Sequence, residues 1–299
     1  MISAATRYCA VYGHPIRHSG SPVMQNAGIQ QLGLDWRYLA FDVHPDKLAE
    51  AIRGAERMHF VGLNLTAPHK LLAFELVDVL DDSAREWGAV NTIRFEGRDA
   101  EGRWVSLARP EADDFEVTRS VGFNTDADAV VRAVEEDLRL NLRGASALVV
   151  GVGGAGRVGA LKLAESGVKR LFVVNRTVEK AEAVKSEIGE RFPECGVTIG
   201  YPTERVDLLL NGTSLGLKAT DSIPADRERL SFSQVAAVYD MIYQPAETLL
   251  LREARAAGCR GANGLGMLVY QGAKALEIWA EREAPASVMR AALEKHIYG

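Results

Sequence analysis

Residues 147–159 read ALVVGVGGAGRVG, an apolar run followed by glycines at Gly151, Gly153 and Gly156. This is the G-x-G-x-x-G spacing, and the strand-like run before it and the helix-like segment after it are the context that the motif requires. Such glycines allow a tight turn and let the backbone approach a pyrophosphate, which the free N–H groups of the helix can bind. The stretch therefore predicts a dinucleotide-binding α/β fold. A merely tight turn between strand and helix is the alternative.

The next predicted strand ends in FVVNRT, residues 172–177. A site specific for NAD usually has Asp or Glu at this point, where it accepts hydrogen bonds from the ribose 2′-hydroxyl. Asn175 is neutral, Arg176 is cationic, and Thr177 adds a hydroxyl, so the group suits a 2′-phosphate. We therefore expect NADP as the cofactor. An exposed arginine followed by a helix-capping threonine is the plainer interpretation and explains only part of the pattern.

The rest of the chain continues this pattern, because strand-like and helix-like segments alternate from end to end, which predicts two parallel sheets covered by helices. The strands predicted for the first sheet are Arg7–Tyr12, Trp36–Val43, Phe60–Asn64 and Asn91–Phe95, with helices beginning near Pro22, Pro45 and Pro68. The strands predicted for the second sheet are Ala147–Val152, Arg170–Val174, Val197–Tyr201, Val206–Leu210 and Ala237–Met241. From Gly264 the pattern is mostly helical, with a last helix beginning at Pro285.

One segment interrupts the alternation. Residues 97–122, GRDAEGRWVSLARPEADDFEVTRSVG, are polar and acidic and have no clear period. Such a composition predicts an excursion or linker near a domain boundary.

Composition narrows the function classes. The 299 residues are 47% hydrophobic and 25% charged, as in an ordinary globular protein. The 35 Lys and Arg against 40 Asp and Glu give a net charge of -5, which does not indicate a nucleic-acid or anionic membrane partner. A small-molecule ligand is therefore favoured. Since the first residues lack a secretory signal pattern and no run approaches the ~20 apolar residues of a membrane span, we expect a cytoplasmic protein.

The three cysteines indicate no metal site. Cys9, Cys195 and Cys259 are scattered and lack the paired spacing of zinc ligands or of a disulfide framework. We expect them to be buried thiols and the protein to bind no metal.

Polar side chains follow several predicted strands of the first half. Ser19 and Ser21 precede Pro22 at the start of a helix, where hydroxyls can hold a carboxylate, although Ser21 alone is more typical of a helix cap. GLNLTAPHK brings Asn64, Thr66 and Lys70 into one loop, and a lysine among buried polar groups can act as a general acid or base. A solvated lysine at a helix start is the alternative.

Two further motifs place amides and one carboxylate at strand ends: GAVNT, with Asn91, and GFNTD, with Asn124 and Asp126. Ligands of open α/β sheets bind at the carboxyl ends of strands, so we expect these groups to share one site.

Taken together the motifs resemble those of the shikimate dehydrogenase family. HPIRHSGSP, NLTAPHK, GAVNT, GFNTD, GVGGAG, NRT, LLLNGTSLG, YDMIYQPAET and NGLGMLVYQGA occur in the family's order, from Tyr12 to about Trp279. The resemblance implies an NADP-dependent oxidoreductase of the shikimate pathway of aromatic amino acid biosynthesis, which reversibly reduces 3-dehydroshikimate to shikimate. It also implies an α/β substrate-binding domain at 1–124, a Rossmann-like doubly wound NADP-binding domain at 125–263, and helices at 264–299 that return to the substrate domain.

The resemblance also assigns roles to residues. Lys70 and Asp126 match the catalytic pair beside the reacting C3 oxygen. Ser19, Ser21 and Tyr243 match the groups that bind the substrate carboxylate, and Asn64, Thr66, Asn91 and Gln271 match the other polar residues around the substrate. Gln271 shares the apolar face of its helix, where a buried amide needs hydrogen-bond partners such as a polyhydroxylated ligand provides. The residues expected to bind NADP are Gly151, Gly153, Gly154, Ala155, Gly156, Asn175, Arg176, Thr177, Thr213 and Gly264.

Some positions depart from the family pattern. Gly20 replaces a larger apolar residue, Gln25 replaces the common histidine, and GFNTDADA lacks the usual glycine after Asp126. Quinate or aminoshikimate dehydrogenases are therefore rival functions. A ligand-sensing relative without turnover is a rival of another class, although retention of Lys70 and Asp126 argues against it. The sequence leaves a homodimer open.

Overall fold

Two sheets organise the structure, a computed structural model that describes residues 2–109, 115–218 and 220–299. The elements of the first part of the chain are β1 (Arg7–Gly13), α1 (Ser21–Gln31), β2 (Trp36–Asp42), α2 (Leu48–Arg57), β3 (Gly62–Leu65), α3 (His69–Phe74), β4 (Val79–Leu80), α4 (Asp82–Trp87), β5 (Thr92–Arg98), β6 (Trp104–Ser106) and β7 (Thr118–Phe123). Those of the second part are α5 (Asp126–Leu138), β8 (Ser146–Val150), α6 (Gly154–Glu165), β9 (Arg170–Val174), α7 (Val178–Arg191), β10 (Gly196–Ile199), β11 (Val206–Asn211), β12 (Val235–Asp240), α8 (Leu249–Ala256), β13 (Arg260–Asn263), α9 (Leu265–Ala280) and α10 (Ala286–Tyr298).

The chain separates into two units, each with one sheet. Unit 1 comprises Met1–Asp126 and Val269–Gly299, and unit 2 comprises Ala127–Leu268. Apolar side chains from strands and helices form a buried core in each, such as Leu63 and Ile93 in unit 1 and Leu148 and Leu209 in unit 2. The α/β class predicted from the alternating pattern is confirmed.

The sheet of unit 1 has seven strands in the order β2-β1-β3-β5-β7-β4, with β6 paired to β5. The expectation of a purely parallel sheet is wrong here, because β5 runs antiparallel to β3, β6 and β7. The remaining pairs, β1 with β2, β1 with β3 and β4 with β7, are parallel. Because β5 is reversed relative to these strands, its first residue lies at the same edge as the last residues of β1, β3 and β7.

The prediction that residues 97–122 form an excursion or linker is wrong for the described residues. They form the end of β5, all of β6 and most of β7. Arg119 of this segment pairs with a buried carboxylate of β5. Glu96 is 3% exposed and forms ion pairs with Arg94 and Arg119, whose guanidinium lies 4.2 Å from the ring centroid of Trp104. The polar composition of residues 97–122 therefore does not indicate the strands that they form. Residues 110–114 lie outside the described part.

The sheet of unit 2 is entirely parallel, with six strands in the order β10-β9-β8-β11-β12-β13. Counted along unit 2 this is the order 3-2-1-4-5-6 of doubly wound dinucleotide-binding sheets. The direction of winding reverses between β8 and β11. Ligands of such sheets bind at that switch point, beyond the carboxyl ends of the strands.

Within the described ranges no helix is long and apolar enough to cross a membrane. The same ranges contain no group of three or more His, Cys, Asp and Glu residues placed to hold a metal ion.

Candidate active site

Lys70 and Asp126 form an ion pair in unit 1. Lys70 lies in the first turn of α3 and Asp126 begins α5, and Lys70 Nζ donates to Asp126 Oδ2 over 2.7 Å. The lysine side chain is 35% exposed and the carboxylate 21%, so both are reachable from solvent while partly desolvated. Asn124 Oδ1 accepts from the backbone N–H of Asp126 at 3.1 Å and fixes the start of the helix. The pair can therefore exchange a proton with a ligand at a defined position.

An amide and hydroxyl network lies beside this pair at the same edge of the sheet. Asn64, at the end of β3, accepts from Tyr38 Oη at 2.8 Å and donates to Thr92 Oγ1 at 3.0 Å. Asn91 Oδ1 accepts from the Thr125 backbone N–H at 2.8 Å, and Asn91 Nδ2 donates to Thr125 Oγ1 at 3.0 Å. Both asparagines are buried. Their hydrogen bonds join the ends of β3 and β7 to the start of β5.

The reversed direction of β5 changes how Asn91 reaches the site. The sequence places Asn91 beside a strand end, and the structure shows that it precedes β5 rather than following it. The antiparallel pairing of Asn64 with Thr92 nevertheless brings it to the common edge.

The other predicted substrate residues of unit 1 occupy three places. Ser19 and Ser21 flank Gly20 at the start of α1, and the Ser21 backbone N–H donates to Ser19 Oγ at 3.3 Å. The half-buried Thr66 follows β3 and accepts through its carbonyl from the His69 N–H. The backbone carbonyl of Gln271, on α9, accepts from Thr125 Oγ1 at 3.0 Å, which places this residue beside the network.

Tyr243 lies in unit 2, in the loop between β12 and α8. Burial raises the pKa of its phenol, so it is a neutral hydrogen-bonding group at pH 7. Burial also lowers the pKa of His69, the fully buried neighbour of Lys70, so its ring is neutral at pH 7.

The glycine loop of unit 2 fits a pyrophosphate. A Cβ added at Gly156 would lie 1.9 Å from the carbonyl oxygen of Gly151, which itself has a φ of +83°, so both positions require glycine. A Cβ added at Gly153 or Gly154 would meet nothing within 4 Å, so the space before α6 is open. Gly153 caps α6 without a side-chain hydrogen bond, and the exposed Ala155 lies in its first turn. The first N–H groups of α6 therefore point to open space, as anion binding requires.

A cavity of about 540 Å³ lies at the switch point of this sheet. Its lining includes Gly151 and Gly153, the predicted cofactor residues Asn175, Arg176, Thr177 and Thr213, and the exposed Lys180. Among the described residues, Arg176 and Lys180 have no carboxylate partner, so two cations face the expected ribose end. Thr177 is the N-cap residue of α7, as the helix-capping alternative expects, but its hydroxyl makes no capping hydrogen bond.

Asn175 has a structural part in this cavity. Its Oδ1 accepts from the Val152 N–H at 3.0 Å, and its Nδ2 donates to the carbonyl of Thr177 at 2.8 Å. It therefore ties the glycine loop to the start of α7, and an amide at position 175 lacks the negative charge that would repel a phosphate.

The buried Asp240 supports the cavity residue Thr213 through Asn211. Its carboxylate accepts from Asn211 Nδ2 at 2.8 Å and from Thr248 Oγ1 at 2.6 Å. Asn211 Oδ1 in turn accepts from Thr213 Oγ1 at 2.7 Å. Burial raises the pKa of Asp240. A Cβ added at Gly264 would lie 2.1 Å from the Met241 carbonyl oxygen, so this predicted cofactor residue is a point of close backbone approach.

These features define the class: an α/β protein with a Rossmann-type dinucleotide-binding unit and a second unit that presents a lysine–carboxylate pair. Three family models match the chain, the shikimate dehydrogenase substrate binding domain over residues 11–93, the shikimate / quinate 5-dehydrogenase over 132–198, and the shikimate 5′-dehydrogenase C-terminal domain over 264–294.

Similar proteins match over the full length. A shikimate dehydrogenase (NADP(+)) of Methanopyrus kandleri is 38% identical, over 99% of this chain and 98% of its own. A crystal structure of a shikimate dehydrogenase in complex with NADP+ has a TM-score of 0.82 and 34% identity, over 100% of this chain and 98% of that one. The enzyme of Thermus thermophilus, in complex with NADP(H) and shikimate, has a TM-score of 0.77 and 34% identity, over 97% and 99%. The chain belongs to the shikimate dehydrogenase family.

The family, the fold class and the oxidoreductase class predicted from the sequence are confirmed, and the names of the relatives agree with NADP. The roles of single residues and the domain boundaries stay predictions. Tyr38, Thr92, Thr125 and Lys180 were not among the predicted site residues. A signal existed for three of them: Asn-Thr occurs in both GAVNT and GFNTD, and Lys180 is a second cation four residues after Arg176.

Proposed function

We propose that the chain is an NADP-dependent shikimate dehydrogenase, which reversibly reduces the ring ketone of 3-dehydroshikimate to the hydroxyl of shikimate. The observation that carries this proposal is the 2.7 Å pair of Lys70 Nζ and Asp126 Oδ2, partly exposed at the edge of the sheet. A cationic N–H donor there stabilises the developing oxyanion and gives it a proton. In the reverse direction the same amine accepts the proton of the C3 hydroxyl.

Asp126 holds the donor in place. Its carboxylate keeps Lys70 Nζ within one hydrogen bond, and it has a second oxygen that can accept from a neighbouring substrate hydroxyl. Ser19, Ser21 and Tyr243 would bind the substrate carboxylate by charge-assisted hydrogen bonds. Thr66 and Gln271 would bind ring hydroxyls.

Asn64 and Asn91 use most of their side-chain hydrogen-bond donors and acceptors within the network. Both N–H groups of Asn64 are used, to the Asn91 carbonyl and to Thr92, which leaves one lone pair of Oδ1. Asn91 keeps one N–H. We propose that both residues hold the strand ends at this edge of the sheet in place, and that each has one hydrogen bond available to the substrate.

Unit 2 would bind the cofactor, and its residues fit NADP. The open start of α6 suits the pyrophosphate, and Arg176, Thr177 and Lys180 suit the 2′-phosphate. When bound, NADPH supplies the hydride. The protein's own part is to hold substrate and proton donor in a fixed geometry.

The test is a spectrophotometric assay of NADPH formation with shikimate, quinate and aminoshikimate, each with NADP and with NAD. The proposal expects the highest kcat/KM for shikimate with NADP. Preference for quinate would instead establish the second candidate, a quinate dehydrogenase, which the shikimate / quinate family model and the departures at Gly20 and Gln25 leave open. Binding of shikimate without turnover would indicate a sensor, against which the intact Lys70–Asp126 pair argues. A cytoplasmic location and a homodimer stay predictions.

A further inference from the structure

The C-terminal helix packs on the serine loop through a glycine. Gly20 is buried, lies between Ser19 and Ser21, and is the N-cap of α1. A Cβ added at Gly20 would lie 2.6 Å from Leu293 Cδ1, a side chain of α10 that is fully buried. Side-chain atoms of His296 and Ile297 lie 3.8 and 3.7 Å from the same point. The methyl group of Leu293 therefore occupies the room of a side chain at position 20.

A second contact of the same kind lies two turns along α1. A Cβ added at Gly28 would lie 3.0 Å from Met289 Cγ and 2.8 Å from Leu276 Cδ2. Met289 precedes Leu293 by one turn of α10, so the two helices run in opposite directions, each glycine facing a buried side chain. Of these two contacts, the one at Gly20 lies beside the serines. The Gly28 contact provides an internal control on the same helix pair.

Besides the buried Ile16 and the Gly20 carbonyl, which accepts from the Met24 N–H, the loop is held by short-range hydrogen bonds. Gly20 has no side chain, and it caps α1 without a side-chain hydrogen bond. The Ser19 N–H donates to the Ile16 carbonyl at 3.0 Å and the Ser21 N–H to Ser19 Oγ at 3.3 Å, both within the loop itself. The packing of Leu293 against Gly20 thus links the loop to the rest of unit 1.

We propose that Leu293 is a positioning residue for the acid substrate: seated against Gly20, it fixes Ser19 and Ser21 in the geometry that binds the carboxylate. The inference rests on the proposed function, which assigns the carboxylate to these serines. Displacement of a binding group by about 1 Å can cost up to ~10²-fold in rate or affinity, so a cavity behind the loop has a measurable effect. The last helix of the chain thereby sets the affinity for the acid without contacting it.

The experiment compares Leu293→Ala with Met289→Ala in the full-length protein. Both remove a buried side chain of α10 that faces a glycine of α1, and both should lower the Tm. Leu293→Ala is expected to raise the KM for shikimate about tenfold, with kcat and the KM for NADP within about twofold of wild type. Met289→Ala should leave all three constants within about twofold. Equal KM values for the acid in the two variants would overturn the inference.

A compensating substitution tests the contact itself. In Gly20→Ala/Leu293→Ala, the added Cβ takes up part of the room vacated by Leu293, so the KM for shikimate should return to within about threefold of wild type. The inference also predicts a rise of about threefold for Gly20→Ala alone, because Leu293 must shift, and none for Gly28→Ala. This glycine pair decides the question if Leu293→Ala does not fold.

The outcomes separate this inference from the proposed function. A folded wild type that turns over none of the three acids overturns the proposed function, and this inference with it. A wild type that oxidises shikimate, together with a Leu293→Ala or Gly20→Ala variant of unchanged KM for the acid, overturns this inference alone.

Discussion

Lys70 and Asp126 are 56 residues apart in the chain, and their side chains are joined by a hydrogen bond of 2.7 Å. The contact arises because Lys70 lies in the first turn of the helix after β3 and Asp126 begins the helix after β7, and both strands end at the same edge of the sheet. A positioned proton donor of this kind can serve as the general acid in ketone reduction.

The first prediction concerns the proton donor. Lys70→Ala should lower kcat by on the order of 10²–10⁴, the usual contribution of general acid–base catalysis. NADP affinity should not change, because Lys70 is in unit 1 and the dinucleotide cavity is lined by residues of unit 2. Steady-state kinetics and a fluorescence titration with NADPH measure the two effects. Lys274→Ala, an exposed lysine on α9, serves as the matched control, and a Lys70 variant with near-wild-type kcat would refute the assignment.

The strands and site residues that local sequence patterns mark could be predicted, whereas those that depend on contacts between distant residues could not. Five of the six strands of unit 2 are mostly apolar and were found from the sequence. The sixth, β13, was missed because RGAN is polar and mostly half-buried. The strands of segment 97–122 were missed because the segment is polar and charged; Arg119 of β7, for example, pairs with the buried Glu96 of β5. The role of Tyr38 depends on register, because its hydroxyl reaches Asn64 only through the strand pairing around β1. No local pattern encodes such a contact.

The second prediction concerns the carboxylate. Ser19→Ala and Tyr243→Phe should each raise the KM for shikimate about tenfold or more, because a carboxylate would lose a charge-assisted hydrogen bond of roughly 1.5–3 kcal/mol. The KM for NADP should stay near the wild-type value. Kinetics with each substrate varied separately distinguish the effects. Equal losses for acid and cofactor would indicate general damage to the fold.

The third prediction concerns two glycines in helices of unit 2. Gly156→Ala should abolish dinucleotide binding and destabilise the protein, since its Cβ would lie 1.9 Å from the Gly151 carbonyl oxygen. Gly189→Ala, in α7, should stabilise the protein by about 0.5–1 kcal/mol, because its Cβ meets nothing within 4 Å and alanine favours the helix. Urea denaturation measures both. The two variants should change the free energy of unfolding in opposite directions, and a stabilising Gly156→Ala would contradict the close packing of the loop.

The fourth prediction concerns the three free cysteines, all of which are buried. Burial raises the pKa of Cys195 to about 11 and also raises the pKa values of Cys9 and Cys259, so little thiolate exists at neutral pH. Labelling with a thiol reagent at about pH 8 should therefore be slow in the native protein and reach three groups per chain after denaturation. For Cys195 the rate should still rise as the pH approaches its raised pKa. Rapid native labelling at neutral pH would contradict this burial.

The last prediction concerns the choice between NADP and NAD. The glycine loop meets the pyrophosphate that both cofactors share, so discrimination must come from the ribose end. There Asn175 removes the carboxylate that would repel a 2′-phosphate, and Arg176 and Lys180 line the cavity with positive charge. Arg176→Ala should therefore lower kcat/KM for NADP at least about tenfold and barely change that for NAD.

Lys180→Ala should act in the same direction but less, because an ammonium contacts phosphate at one point whereas a guanidinium binds it with two N–H groups. The double variant should bring the two cofactors closest to parity. Lys185→Ala, on the same helix but outside the cavity lining, is the matched control. Because the interaction is ionic and exposed, the preference for NADP should also shrink as salt is raised. Wild type that uses both cofactors equally, or an Arg176 variant that loses both equally, would show that NRT does not select the 2′-phosphate.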